Sequence, residues 1–357
     1  MMATLIWYLL SGLVLVVTAL GCFEWYCRSR WREMAIEEDI YSDFHWRRPY
    51  PYIMFKGYPG YQHLNELGYP GPAPQKIKPR NEFRVIICGG STVFNGEPSI
   101  GGILEQCCHQ HGLKEVRVYN AGVVSSSSGM ELSRVLFEFA DLEPDLVIFY
   151  NGGNDLLGPH YNDPRPGYPP NFVVHESNPI IEKDVRKYPL MGLILYSSIV
   201  LRYLKGPYFK RKFIALNRLR NEAGYRTGEW EDAIVRTYVE NVVKTGKLLK
   251  GFNARFIVFF QPLLHFKAFN CVSAEEKKFT SPADISYWQR IRGKTVETLM
   301  LSCKNSNIKS VDLSEVFSNN PAWIYTDEIH IRQEMQPVVA NRIFEELKNA
   351  NLLSNSF

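Results

Sequence analysis

Residues 84–92 read Arg-Val-Ile-Ile-Cys-Gly-Gly-Ser-Thr, an apolar run that stops abruptly at two glycines and a serine. The run is short, rich in β-branched residues and free of polar alternation, the pattern of a strand covered on both faces, as parallel strands in α/β domains are. The glycines let the chain turn sharply with no Cβ in the way. Ser91 then stands at the carboxyl end of the strand, where open α/β sheets place their ligands.

The same unit recurs along the chain. Residues 101–110 can form a helix, and 116–119 a second buried strand ending in Asn120, Ala121 and Gly122. The serines of 125–128 make a polar loop. The spacing then predicts a helix over 131–140, with Leu132, Val135, Leu136 and Phe139 on one face. Residues 145–150 form a third strand that runs into Asn151, Gly152, Gly153, Asn154 and Asp155. Ile234, Tyr238, Val242 and Leu249 mark a helix over 229–250, and 255–260 is a fourth strand closed by Gln261 and Pro262. Ser281 and Pro282 are a helix start with proline at the first position, and that helix should reach about Cys303. A short fifth strand at 310–313 and a last helix opening at Gln336 and Pro337 complete the series. In that helix Val338, Val339, Ile343, Phe344 and Leu347 can pack back on the sheet. Strand, polar loop and helix in alternation predict an α/β fold: a parallel sheet of about five strands with helices on both faces.

Three segments fall outside this pattern. Residues 3–23 carry no charge and are long enough to cross a bilayer core, which takes about 20 apolar residues, so residues 1–27 read as a transmembrane anchor. A cleaved signal peptide would have a basic start, and nothing ahead of Leu5 is basic; Cys22 makes only a loose lipoprotein box. Arg28, Arg30 and Arg32 after the span would put the body in the cytoplasm by the positive-inside rule. Residues 28–82 are too aromatic for a flexible linker and too proline-rich for long helices, and read as an irregular collar packed on the main domain, 83–350. An aromatic-lined sugar or acyl groove is the sharper reading of the same residues. Residues 158–228 are an insertion in that domain, proline-rich at first and then apolar over 190–204. That apolar run is too short to span a bilayer; a covering helix, a lid and a membrane-surface helix all fit it.

Charge and cysteines exclude several function classes. With 41 basic and 37 acidic residues the net charge is only +4, and no basic run interleaved with stacking aromatics points to nucleic acid. The seven cysteines make no CxxC pair and no disulfide framework, which leaves them as free thiols. Vicinal Cys107 and Cys108, with His109 and His111, match no ligand spacing, so no metal and no other cofactor is expected.

An alcohol nucleophile at neutral pH needs a base in hydrogen-bond reach, a group to orient that base, and donors for the developing oxyanion. Ser91 would be the nucleophile. Tyr325-Thr326-Asp327-Glu328-Ile329-His330 precedes the last helix, and a spacing of three lets Asp327 turn back onto the imidazole of His330. His330 would serve as general base and then acid. Gly122 can present a backbone N–H and Asn154 a side-chain amide, both at strand ends beside Ser91. Taken singly, each has a plainer role: Ser91 as a helix cap, Asn154 as a turn residue, Asp327 and His330 as a loop pair. Gly89-Gly90-Ser91-Thr92 lacks the lysine and spacing of a P-loop.

Together, Gly89-Gly90-Ser91-Thr92, Asn120-Ala121-Gly122, Gly152-Gly153-Asn154-Asp155 and Asp327-Glu328-Ile329-His330 resemble, in order, the four blocks of the SGNH or GDSL-like hydrolases. Asn65-Glu66-Leu67-Gly68-Tyr69 is similar to the lead-in of a membrane-associated bacterial branch. The resemblance implies a flavodoxin-like three-layer α/β/α sandwich and serine-dependent acyl-ester chemistry through an acyl-enzyme. Ser91, His330 and Asp327 would form the triad, and the N–H groups of Ser91 and Gly122 with the Asn154 amide the oxyanion hole. Gly90 stands where the family usually has aspartate, so that residue's local hydrogen bonds are missing. The implied substrate is a small-molecule or saccharide acyl ester, acetyl first among the acyl groups, with transfer to a saccharide hydroxyl or a silent binding module as the alternatives. The resemblance also permits a periplasmic body, against the cytoplasmic one that the arginine flank suggests.

Overall fold

The computed structural model describes residues 2–34, 47–61, 63–169 and 216–353. The apolar run 190–204 and the middle of the expected insertion lie outside the described residues. The chain divides into two compact units, one holding the N-terminal helix and the other residues 48–172 and 217–357. In the first, α1 (Met2–Met34) contains a stretch, Thr4–Tyr26, long and apolar enough to cross a membrane.

The second unit is built on five parallel strands: β3 (Phe83–Gly89), β4 (Val116–Gly122), β5 (Leu146–Asn151), β6 (Arg255–Phe260) and β7 (Lys309–Asp312), in the order β4-β3-β5-β6-β7. This is the doubly wound α/β/α sandwich expected. Every residue of β3 and β5 is buried, and alternate residues serve opposite faces. Val85, Ile87, Ile148, Tyr150, Ile257 and Phe259 join one core cluster with helices α3 (Ile100–Gln110) and α9 (Gln336–Asn349). Ile86, Cys88, Val147, Phe149, Val258 and Phe260 join the other, with α7 (Gly228–Gly251) and α8 (Pro282–Asn305). Each such buried side chain contributes about 1.5–3 kcal/mol, so two-sided burial explains why these strands carry no polar alternation.

The remaining helices of this unit are α2 (Ser91–Phe94), α4 (Ser128–Arg134), α5 (Gly153–Tyr161) and α6 (Leu216–Ala223). The start of α8 at Ser281 is a full capping box, the Ser281 hydroxyl and the Asp284 carboxylate each taking the other's backbone N–H. The helix expected over 131–140 differs in one respect. After α4 the chain widens into a π turn, Val135–Phe139, which rotates the apolar face. Val135 and Phe139 stay in the core, while Leu136 is 45% exposed. Val338 of α9 is likewise exposed, whereas Val339, Ile343, Phe344 and Leu347 pack inward as expected.

The segment ahead of β3 holds more order than its prolines suggest. β1 (Arg47–Tyr50) and β2 (Met54–Gly57) form a two-stranded sheet. Phe55 and Tyr69 enter the core cluster on the α7 side. Asn65 organises the turn: its Oδ1 accepts from the N–H groups of Leu67 at 2.9 Å and Tyr69 at 3.1 Å. Gly68 has φ +79°, and a Cβ there would stand 2.2 Å from the Gly57 carbonyl oxygen. Both the backbone angle and the close approach require glycine. Gly68→Ala is expected to cost about 1–3 kcal/mol, measured as a fall in the urea midpoint, with faster proteolytic cleavage within residues 58–82.

Candidate active site

Ser91 begins α2 immediately beyond β3. Gly89 pairs with both Gly122 and Tyr150, and a Cβ on it would meet the Tyr150 carbonyl oxygen at 2.4 Å, so only glycine fits at the strand end. Ser91 itself is 6% exposed. Its Oγ lies 2.6 Å from His330 Nε2, and His330 Nδ1 lies 2.6 Å from Asp327 Oδ2. An ionised carboxylate can only accept, so the proton sits on Nδ1 and the bare Nε2 accepts the Ser91 hydroxyl.

The loop holding His330 is fixed from three sides. Asp327 Oδ1 takes the N–H groups of Ile329 at 2.9 Å and His330 at 2.7 Å, and the Thr326 N–H donates to the His330 carbonyl at 2.9 Å. A bridge between Tyr325 and Ile331 closes the loop. Beneath it Glu276, fully buried, accepts from the N–H groups of Ile324 and Tyr325 and pairs with Lys267 at 2.8 Å. Lys267 also donates to the Ala322 carbonyl at 3.0 Å. A buried ion pair with its remaining groups hydrogen-bonded in this way holds one loop geometry. Burial would raise the Asp327 carboxyl, but the hydrogen bond and charge of His330, with the two backbone N–H groups, bring it below its ordinary value.

The expected oxyanion donors fare differently. Asn154 stands beside the nucleophile turn: its Nδ2 donates to the Ser126 carbonyl at 2.8 Å, and a Cβ on Gly90 would lie 2.2 Å from that nitrogen. The second hydrogen of the same amide has no acceptor among the described residues. Gly90 is therefore glycine because the Asn154 amide occupies the place of a side chain. The Ser91 N–H heads α2 with no acceptor among the described residues. Gly122, in contrast, is not brought to the site. Its N–H donates to Asn120 Oδ1 at 2.8 Å, and its Cα packs on the backbone of Phe94. The expectation for Gly122 is corrected by its place inside β4, before the loop turns toward Ser91.

Sequence reading passed over Ser125, three residues further on. It adopts φ +60°, a left-handed conformation rare for a residue other than glycine, and its N–H has no acceptor among the described residues. Its neighbour Ser126 receives the Asn154 amide. Arg134, fully buried, donates to the Ala121 carbonyl and to Ser126 Oγ at 3.1 Å, which pins the loop from behind. A run of four serines gave no sign of this, because a left-handed angle at serine is set by the surrounding fold.

Behind Asn154 lies a buried polar group of Glu131, Asp155, Ser128 and Asn151. Asp155 accepts from the Ser128 N–H at 3.0 Å and from its hydroxyl at 2.5 Å, while Asn151 donates to Glu131 and accepts from the Tyr238 hydroxyl at 3.0 Å. Burial pushes Asp155 up to about 6 and Glu131 up to about 8, against the pull of Arg134 on the latter. In front, Ser91, Thr92, Thr326, His330, Gln333 and Gln336 are among the residues lining a hollow of about 260 Å³.

No protein-family model matches the chain, and no curated protein matches it in sequence. Among solved structures it is similar to a lipase/acylhydrolase from Enterococcus faecalis, at 15% identity and TM-score 0.43 over 75% of this chain and 96% of that one. It is also similar to the acetylxylan esterase Axe2 from Geobacillus stearothermophilus, at 12% identity and TM-score 0.41 over 74% and 93%. At these identities no activity carries over from them to this chain. The sheet order is the flavodoxin-like one that the resemblance of the four sequence blocks implies.

Two outcomes follow from the geometry. Gly90→Ala displaces the Asn154 amide and is expected to lower kcat for an activated ester by about 10²-fold with the circular dichroism spectrum unchanged. Glu131 holds a proton in the fold up to about pH 8 but releases it near 4.5 when unfolded, so between those values the folded state binds the extra proton and stability falls as pH rises. Glu131→Gln should flatten that slope in urea titrations at pH 5 to 8. An unchanged slope would assign it to another group.

Proposed function

We propose that this protein is a membrane-anchored serine esterase that cleaves acyl esters, acetyl esters first among them, through an acyl-enzyme on Ser91. The observation that carries this reading is the unbroken chain Ser91 Oγ, His330 Nε2, His330 Nδ1, Asp327 Oδ2, each contact 2.6 Å. His330 takes the Ser91 proton as Oγ attacks the ester carbonyl, then passes it to the leaving alkoxide; Asp327 holds the tautomer and stabilises the imidazolium. Water, deprotonated by the same imidazole, then releases the acid. The oxyanion would be met by the N–H of Ser91, the free amide hydrogen of Asn154 and the N–H of Ser125, all oriented before substrate arrives.

A silent module with this fold would have no need of a half-buried imidazole already hydrogen-bonded to a buried serine. The anchor is α1, supported by its length and apolar composition. Acetylated saccharides are the substrate class we favour, supported by the polar lining around Ser91 and by the resemblance of the four blocks. The full chain in detergent is expected to hydrolyse p-nitrophenyl acetate and to be labelled by a fluorophosphonate at Ser91. Ser91→Ala and His330→Ala should each lose about 10³-fold or more in kcat. Turnover that survives both substitutions would remove Ser91 from the mechanism.

A further inference from the structure

We infer that Tyr52, Leu136 and Phe137 form a lipid-contact surface through which the second unit rests on the bilayer. The inference rests on the reading of α1 as a membrane anchor and is independent of the esterase reading.

Two departures from regular backbone meet at this spot. Tyr52, in the turn between β1 and β2, has φ +67°, a left-handed angle unusual for a bulky residue. Its side chain is 70% exposed and stacks on Phe137, with ring centroids 4.0 Å apart and planes 12° from parallel. Phe137 belongs to the π turn that follows α4, and in that turn Leu136 and Phe137 face outward, 45% and 48% exposed. Each departure costs free energy, and each ends by showing an apolar side chain to water. Strained backbone and π turns that persist in a fold gather at functional positions.

The patch itself holds no outward charge. Glu138, between Phe137 and Phe139, turns inward to pair with Lys56 at 2.9 Å and to accept from the Tyr69 hydroxyl. Further along the same connection Asp145 pairs with Lys78 at 2.5 Å, which brings in a neighbouring loop whose Ile77 is 86% exposed. The surrounding charges are mixed, exposed Lys76 and Arg80 against exposed Asp141 and Glu143. Apolar insertion therefore carries the contact, and attraction to anionic headgroups adds little. Arg84, near the start of β3, donates through its side chain to the Leu142 carbonyl and through its N–H to Asp145, each at 2.6 Å. The connection thus reaches the amino end of the sheet, opposite Ser91. Docked through this surface, the unit presents the Ser91 hollow to water.

Area and tether choose the occupant. Aromatic side chains bury about 150–250 Å² each, so this partly exposed group offers on the order of 400 Å². That is about half of what each partner contributes to a stable protein interface, roughly 800 Å². A tethered lipid contact needs less. α1 ends at Met34 and β1 begins at Arg47, and the residues between them, 35–46, reach at most about 40 Å when extended. Within that reach the bilayer meets the patch at high effective concentration, so a few inserted side chains suffice. Tyrosine is also a residue that settles at the membrane–water interface.

The test uses the full chain in nanodiscs that hold one copy, made with a phospholipid carrying a diazirine near the glycerol end of its acyl chain. After irradiation, mass spectrometry should find lipid adducts on residues 52 and 136–137 as well as within Thr4–Tyr26, with a smaller yield on residues 76–80. Tyr52→Ser combined with Phe137→Ser should lower the adducts on Leu136 and on 76–80 about tenfold, leave those of α1 in place and leave the circular dichroism spectrum unchanged. Leu136→Ser, which keeps the ring stack, is a second variant with the same expected direction on 76–80. High salt should change none of these yields. Adducts confined to α1, or patch adducts undiminished in both variants, overturn the inference while the anchor reading stands. Adducts on neither α1 nor the patch overturn the anchor reading and the inference with it.

Discussion

One hydrogen bond of 2.6 Å joins Ser91 to His330 across 239 residues of chain, and most of the second unit can be understood as the means of holding its two ends. The serine end is fixed by a strand that cannot shift. β3 is hydrogen-bonded on both edges and packed on both faces, so a slip of one residue would exchange its two core faces. The histidine end hangs on a loop and has no such support. It is held instead by buried charge: Glu276 gathers three backbone N–H groups, those of Ile324, Tyr325 and Ser273, and an ammonium under Tyr325, directly before the Asp327 turn. Apolar packing secures Ser91 and electrostatics secures His330.

The division matches what the sequence makes legible. Two-sided burial leaves a strong trace, and β3, β5 and β6 fall where their apolar runs lie, whereas β7, Lys-Ser-Val-Asp with no buried residue, leaves a faint one. Ser91, Asn154, Asp327 and His330 are legible because each sits at a strand end or before a helix, marked by glycine or by a spacing of three. Lys267 and Glu276 leave no such trace, since a buried ion pair between irregular segments looks like two surface charges. The π turn after α4 is invisible for a related reason: 3.6-residue spacing assumes a regular helix, and the turn adds a residue. The β1–β2 sheet is hidden by its shortness and by Pro49 and Pro51.

Ser125 and Gly122 show the same limit at the scale of one residue. Glycine at 122 suggested a free backbone donor, yet it serves close packing of β4 against Phe94. The exposed donor belongs to a serine whose left-handed angle is imposed by the loop around it. That loop is pinned by Arg134, whose guanidinium lies beside Glu131, where burial pushes the carboxyl up to about 8. A left-handed serine in an irregular loop is held in place by such buried polar groups behind it.

Gln333 adds a mechanical consequence. Its amide donates to the Pro98 carbonyl at 2.9 Å and accepts from the Glu97 N–H at 3.4 Å, so the loop leading from α2 is strapped to the segment just past His330. Pulling that strap apart would separate Ser91 from His330, and the inner wall of the groove lined by residues 94–99 cannot widen without loss of that contact. The outer wall, at His63 and residues 70–72, carries no such obligation. Change in what the groove admits, whether by drift or by engineering, has its free path on that side.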